Sequence, residues 1–198
     1  SLMKRWNANM IVGLWVVLVM AAGVRAETVA ELVKRMPLQA VQTNTVTCEA
    51  LLALGADGLA ELAGKVQPPA VGGDAQARYL VSGITFYAAR PEVGEARSLV
   101  EQAWLAALAG AEPREVKAFF MRRLQPCGTA ASRDALAGHL SDPTLTEPAA
   151  QALLAIAAPG TAARFLIALK AGQGDIKTIV QALGILAHDA AAEPIRAL

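Results

Sequence analysis

Three stretches decide the fold: Leu124-Gln125-Pro126-Cys127-Gly128 running to Leu140, Leu153-Leu154-Ala155-Ile156-Ala157 running to Leu169, and Ala182-Leu183-Gly184-Ile185-Leu186 running to Leu198. Each begins 29 residues after the one before. Their apolar positions stay in step: Leu136, Phe165 and Pro194; Ala137, Leu166 and Ile195; Leu140, Leu169 and Leu198. A unit this short cannot bury its own apolar face, so neighbours must stack. An ordinary helical bundle has no reason to repeat at a fixed period. The expectation is therefore an all-α chain built as an α-solenoid of antiparallel helix pairs, right-handed and with a curved surface.

The rest of the chain carries the same helical period. Ala96, Leu99, Val100, Ala103, Trp104, Ala107 and Leu108 form one apolar stripe; Leu145, Ala149, Ala152, Leu153 and Ile156 form another; Ile176, Ile179, Val180 and Leu183 form a third. Strand alternation is absent over any comparable length, so the pattern predicts helix and no sheet. Punctuation sets the boundaries. Val29, Leu32, Val33 and Met36 give a short helix stopping at Pro37, and the polar stretch 39–47 reads as a linker. A first pair is expected at about 46–55 and 57–66, broken near Gly55 and closed by Gln67-Pro68-Pro69. Asp74 is a good N-cap for a helix to about Ala89, and the Trp104 helix ends at Gly110. Pro113 opens a helix to about Leu124, followed by 130–140, then 145–157 with 160–171, and 175–187 with 190–198. The domain plan is residues 27–44 as N-terminal helix and linker, then 45–198 as the repeat array, which is expected to continue beyond Leu198 because the last helix ends on a core leucine with no polar capping helix.

Residues 1–26 read as a secretory signal peptide. Ser1-Leu2 precede Met3 and read either as a two-residue scar or as a translation artefact, Lys4 and Arg5 form the basic start, and Met10 to Val24 is an uncharged apolar run. Val24-Arg25-Ala26 offers the small residues that a signal peptidase reads, which places cleavage after Ala26. The competing reading, an uncleaved anchor, needs about 20 apolar residues to cross a bilayer core, more than this run supplies. With cleavage, 172 residues remain, and loss of Lys4, Arg5 and Arg25 takes the formal charge from +1 to −2. A near-neutral chain gives no electrostatic reason to expect nucleic acid or an anionic membrane as partner.

The segments Ala182–Leu198 and Leu124–Leu140 resemble HEAT repeats. They carry leucine-glycine at the end of a first helix, as in Leu183-Gly184, a short turn with aspartate, as at Asp189, and alanines with spaced leucines in the second helix. The resemblance covers about Thr45 to Leu198 and is best from Glu115 onward, whereas the pair spanning 74–110 is longer than a standard unit. The whole arrangement is similar to exported bacterial HEAT-repeat proteins. The resemblance implies scaffolding and protein–protein binding, and brings no catalytic residues with it.

Chemistry-bearing motifs are sparse. Export would place Cys48 and Cys127 in a disulfide-permissive compartment, and the two readings are one bridge between them or two buried, inert thiols. Neither belongs to a Cys-x-x-Cys pair, and neither His139 nor His188 is spaced with a second metal ligand. Gly174-Asp175-Ile176-Lys177-Thr178 reads as a turn with an N-cap aspartate, lacking the rest of a phosphate loop. Arg122 and Arg123 beside Lys117 form a small basic cluster on a helix face, and Asp74 with Arg78 reads as an exposed pair at i,i+4. Phe119, Phe120, Phe165, Tyr87 and Trp104 follow the helix period and read as core.

The functional expectation is an exported, non-catalytic interaction scaffold with no cofactor or metal. It would act in the periplasm or outside the cell, on other exported proteins or on a further domain of the same chain, with no stable membrane anchor after cleavage. Arg133, Arg164 and Arg196 on successive second helices are the candidate partner-binding positions. The rival reading is an accessory repeat domain of a larger exported enzyme, carbohydrate-active or haem-binding, whose catalytic part lies beyond Leu198.

Overall fold

Among the described residues the chain forms ten α-helices and two short 3-10 turns, and no strand. The computed structural model describes residues 27–37 and 41–186. The expected signal peptide, His188, Arg196 and the expected helix 190–198 lie outside the described residues.

Helix α1 (Val29–Lys34) begins with a reciprocal cap: Glu31 N–H donates to Thr28 Oγ1 at 3.3 Å, and Thr28 N–H donates to Glu31 Oε2 at 2.8 Å. Helix α2 (Val41–Ala53) and α3 (Gly55–Gly64) meet at Gly55, whose φ of +66° makes the break. Helices α4 (Ala75–Ala88) and α5 (Gly94–Gly110) are separated by a 3-10 turn at Pro91–Val93. Helix α6 (Arg114–Cys127) leads through a second 3-10 turn, Ala130–Ser132, into the short α7 (Arg133–Ala137). Then follow α8 (Thr146–Ile156), α9 (Thr161–Ala171) and α10 (Ile176–Ile185).

Three local readings change. The polar stretch taken as linker through Thr47 is mostly helix, because α2 starts at Val41; Thr47, Cys48 and Leu51 are fully buried, and that packing overrides the weak helix preference of Thr-Asn-Thr-Val-Thr. The helix expected over 130–140 is a 3-10 turn followed by only five residues of α-helix. Asp74 stands at the N-cap of α4 but does not cap it. Its Oδ2 accepts instead from Gln67 N–H at 2.8 Å and Arg78 Nε at 2.7 Å, and Arg78 Nη2 donates to the Gln67 carbonyl at 2.6 Å. The pair read as exposed is thus a partly buried clasp that closes the Pro68–Gly73 loop onto α4.

Packing follows chain order. The first helices of successive pairs pack on one another, α2 on α4, α4 on α6, α6 on α8 and α8 on α10. Among the second helices, α3 packs on α5 and α7 on α9. The core runs along the seam between the two rows, with Trp104, Phe120 and Phe165 its largest fully buried side chains. The predicted stripes bury as expected at Leu145, Ala149, Ala152 and Leu153, and at Ile179 and Leu183. The α5 stripe divides: Val100, Trp104 and Leu108 are buried, while Leu99, Ala103 and Ala107 are only partly covered.

Candidate functional site

A set of polar contacts joins residues about 29 positions apart in the chain. Arg97 on α5 donates through Nε to the Cys127 carbonyl and through Nη2 to the Gly128 carbonyl, both at 2.9 Å. Glu101, one turn along and only 3 % exposed, accepts from Thr129 N–H at 2.7 Å and Ser132 Oγ at 2.5 Å, so its carboxylate organises the turn before α7. Asp175 N–H donates to Thr146 Oγ1 at 3.0 Å, and Arg114 Nε to Asp142 Oδ2 at 2.9 Å. All these partners stand 28 to 31 residues apart in sequence.

Two of the three candidate arginines belong to this system of ties. Arg133 Nη1 donates to the Pro159 carbonyl at 2.6 Å, and its Nε to Asp134 Oδ1 at 2.8 Å. Arg164 reaches the same Asp134 Oδ1 at 2.8 Å through Nη2. Hydrogen bonding from Arg133, with help from Arg164, holds the Asp134 carboxyl below the usual aspartate range. The two guanidinium groups therefore converge on one carboxylate between α7 and α9. Arg196 lies outside the described residues.

Both cysteines are free and buried, with no bridge between them. Burial, the largest cause for each, pushes the Cys48 thiol up to about 11 and the Cys127 thiol up to about 12. Thiols so far from ionisation are poor nucleophiles and poor metal ligands at neutral pH. His139 sits half-buried in the turn after α7, and burial, then the nearby Lys117, hold its pKa below the ordinary imidazole value. No cluster of three or more metal-ligating side chains occurs among the described residues, and no helix among them is long and apolar enough to cross a membrane.

Two surface features were not singled out in the sequence. The first is a groove of about 650 Å³ between α3 and α5, floored by Ala60, Ala63, Ala103 and Ala107, with Val116 and Phe120 at one end. It is the uncovered half of the α5 stripe. The second is an aromatic column that runs from the core to the surface. Trp104, anchored by Nε1–H to Thr85 Oγ1 at 2.9 Å, stacks on Phe120 with centroids 5.5 Å apart, and Phe120 meets Phe119 edge-on at 5.3 Å. Two guanidinium groups lie against Phe119: Arg78 at 4.5 Å and Arg123 at 5.4 Å from its centroid. Beside them on α4, Tyr79 and Phe86 are 58 % and 59 % exposed. Their seven-residue spacing puts them on one helix face, a signal that is in the sequence but is overlooked when aromatics are sorted only into core stripes.

Comparison with protein-family models finds no match to this chain, and neither curated proteins nor solved structures yield one.

Proposed function

We propose that the chain is an exported, non-catalytic protein–protein interaction scaffold, a HEAT-like α-solenoid whose successive helix pairs present a continuous surface. The observation that carries this reading is the recurrence of inter-unit ties at 28 to 31 residues, from Arg97–Gly128 to Thr146–Asp175, matching the 29-residue sequence period. A chain held together between neighbouring units extends by addition of units and exposes a long face, the property repeat scaffolds use for recognition. The mature protein would begin at Glu27, which places the Thr28 cap of α1 directly after the expected cleavage site. Export to the periplasm or beyond follows from that leader.

The test has two parts. Mass measurement of the protein recovered from the exported fraction should give a chain starting at Glu27. Elemental analysis, an absorbance spectrum and hydrolase assays on the same material should show no stoichiometric metal, no haem band and no turnover. A metal, a haem or an activity intrinsic to this chain overturns the scaffold reading.

A further inference from the structure

Arg123 is a half-buried cation that no acid of the described residues neutralises. Its Nη1 donates to Ser82 Oγ at 2.8 Å, and its guanidinium lies between Phe119 and Phe86, 5.4 and 6.0 Å from their centroids. Its Nε is buried without a hydrogen-bond partner. The neighbouring arginines are matched with acids: Arg78 with Asp74 at 2.7 Å, Arg122 with Glu147 at 3.7 Å. No carboxylate among the described residues pairs with Arg123. Burial and the adjacent Arg122 both act against its charge, as expected of a cation partly stripped of water and given no counter-ion.

The surroundings define what would complete it. Tyr79 and Phe86, both more than half exposed, flank Ser82 on the outer face of α4, about 10 Å apart along the helix from the rise per residue. Phe86 lies 6.0 Å from the guanidinium, and Tyr79 continues the same exposed helix face two turns away. Phe119 meets Phe120 edge-on, and Phe120 in turn packs on Trp104, so this wall of the site and the cation bonded to Ser82 are held in place before binding, which lowers the ordering cost of recognition. Two acids of these elements are engaged elsewhere: Glu49 accepts from the Tyr87 hydroxyl at 3.2 Å, and Glu147 pairs with Arg122 at 3.7 Å. The group that would neutralise Arg123 is therefore an anion from outside the described residues.

We propose that the α4–α6 face built from Tyr79, Phe86, Phe119 and Arg123 docks an acidic peptide segment of a partner protein, a carboxylate on Arg123 and an aromatic or aliphatic side chain against Phe86 and Tyr79. This rests on the scaffold reading and names the partner's chemistry. At this patch Arg123 is one cation without a carboxylate beside arginines already matched with acids, too little for a nucleic-acid backbone or an anionic vesicle, which need several free cations on one face. One carboxylate paired with one desolvated arginine between aromatic anchors is what a protein hot spot requires.

The test is selection of short random peptides displayed against the purified protein, with affinities of recovered clones measured by fluorescence anisotropy. Recovered clones should carry Asp or Glu beside an aromatic or aliphatic residue. They should weaken about tenfold or more with Arg123→Met and with Phe86→Ser, the latter a change at an exposed side chain that leaves the fold intact. Arg123→Lys should recover part of the loss, and Ile167→Ser, on the outer face of α9, should leave binding unchanged. Clones that are basic or uncharged, clones insensitive to both the Arg123 and Phe86 changes, or recovery of no binding clone would each overturn the proposal. Clones sensitive only to Ile167→Ser would overturn it while leaving the scaffold reading standing. Intrinsic metal, haem or turnover would remove the scaffold reading itself.

Discussion

Glu101 occupies a position that a charged side chain rarely holds, beside Val100 and one turn from Trp104 on the buried side of α5. It is tolerated because donors from the next unit meet it: the Thr129 N–H, the Thr129 hydroxyl and the Ser132 hydroxyl. Ser132 is itself fully buried, so removing the acceptor strands donors that water cannot reach. Glu101→Ala should destabilise by about 2–4 kcal/mol in urea unfolding. Glu101→Gln should cost less, since one acceptor oxygen remains; equal effects would mean that the carboxylate is a packing residue only. His139 sets a pH dependence of definite sign. Its folded pKa is depressed by burial, so between the folded and unfolded values the unfolded chain binds more protons and stability rises with pH. That contribution is full above about pH 6.5, the unfolded imidazole value, and is lost as pH falls through the folded value. Asp142, lowered chiefly by the Thr144 hydroxyl, and Asp175, lowered chiefly by the Thr178 hydroxyl, act with the same sign further down, below the unfolded aspartate value. Urea midpoints should fall from pH 7 to pH 5, and His139→Gln should flatten that segment while leaving the steeper loss in stronger acid.

The elements were legible in the sequence where glycine and proline punctuate an amphipathic run. The breaks at Gly55, Pro113 and Gly172 fall where the sequence puts them, and Asp175 caps α10 by accepting from Lys177 N–H at 3.1 Å, as its turn implies. What escaped was set by tertiary partners. Helix α2 has little amphipathic contrast over Thr43-Asn44-Thr45, and only the burial of Cys48 and Leu51 against neighbouring helices reveals its extent. The short α7 reads as a longer helix because no local rule foresees that Glu101, 28 residues upstream, takes hold of Thr129. Arg133 and Arg164 were visible as surface charge, but their convergence on Asp134 depends on how neighbouring helices pack. Gly174 shows the same dependence. Its φ of +78° suits glycine, and a Cβ there would lie 1.9 Å from the Leu140 carbonyl oxygen and 2.7 Å from Thr146 Oγ1. Gly174→Ala should therefore pry the α9–α10 turn off the preceding unit, at a cost of about 2 kcal/mol or more. Gly184→Ala, in an open stretch of α10 where a Cβ meets nothing within 4 Å, should be neutral or mildly stabilising. Similar unfolding midpoints for the two variants would contradict the close approach of these units.

At the scale of the molecule, packing between neighbours in chain order distinguishes a stack from a bundle, and the difference is thermodynamic. In a single closed core every element shares one cooperative transition, so a core deletion lowers protection everywhere. In a stack, stability is approximately a sum of unit and interface contributions, and damage stays local. Leu153 tests which applies. It is 1 % exposed on α8, which packs on α6, α7 and α10 but not appreciably on α1, α2 or α3. Leu153→Ala should cost about 2–5 kcal/mol at its own site. In native-state hydrogen exchange the loss of protection should be greatest in α8 and α10, smaller in α6, and least in α2 and α3. The N-terminal units should resist the spread further because their contacts are longer-range in sequence: Tyr87 to Glu49 and Arg123 to Ser82 span 38 and 41 residues, against 28 to 31 in the later ties. Uniform loss of protection from α2 to α10 would show one cooperative core and overturn the stacked-unit reading. A gradient centred on α8 would show that the 29-residue period governs energetics as well as geometry, because each tie from Arg97–Gly128 to Thr146–Asp175 then couples only the units it joins.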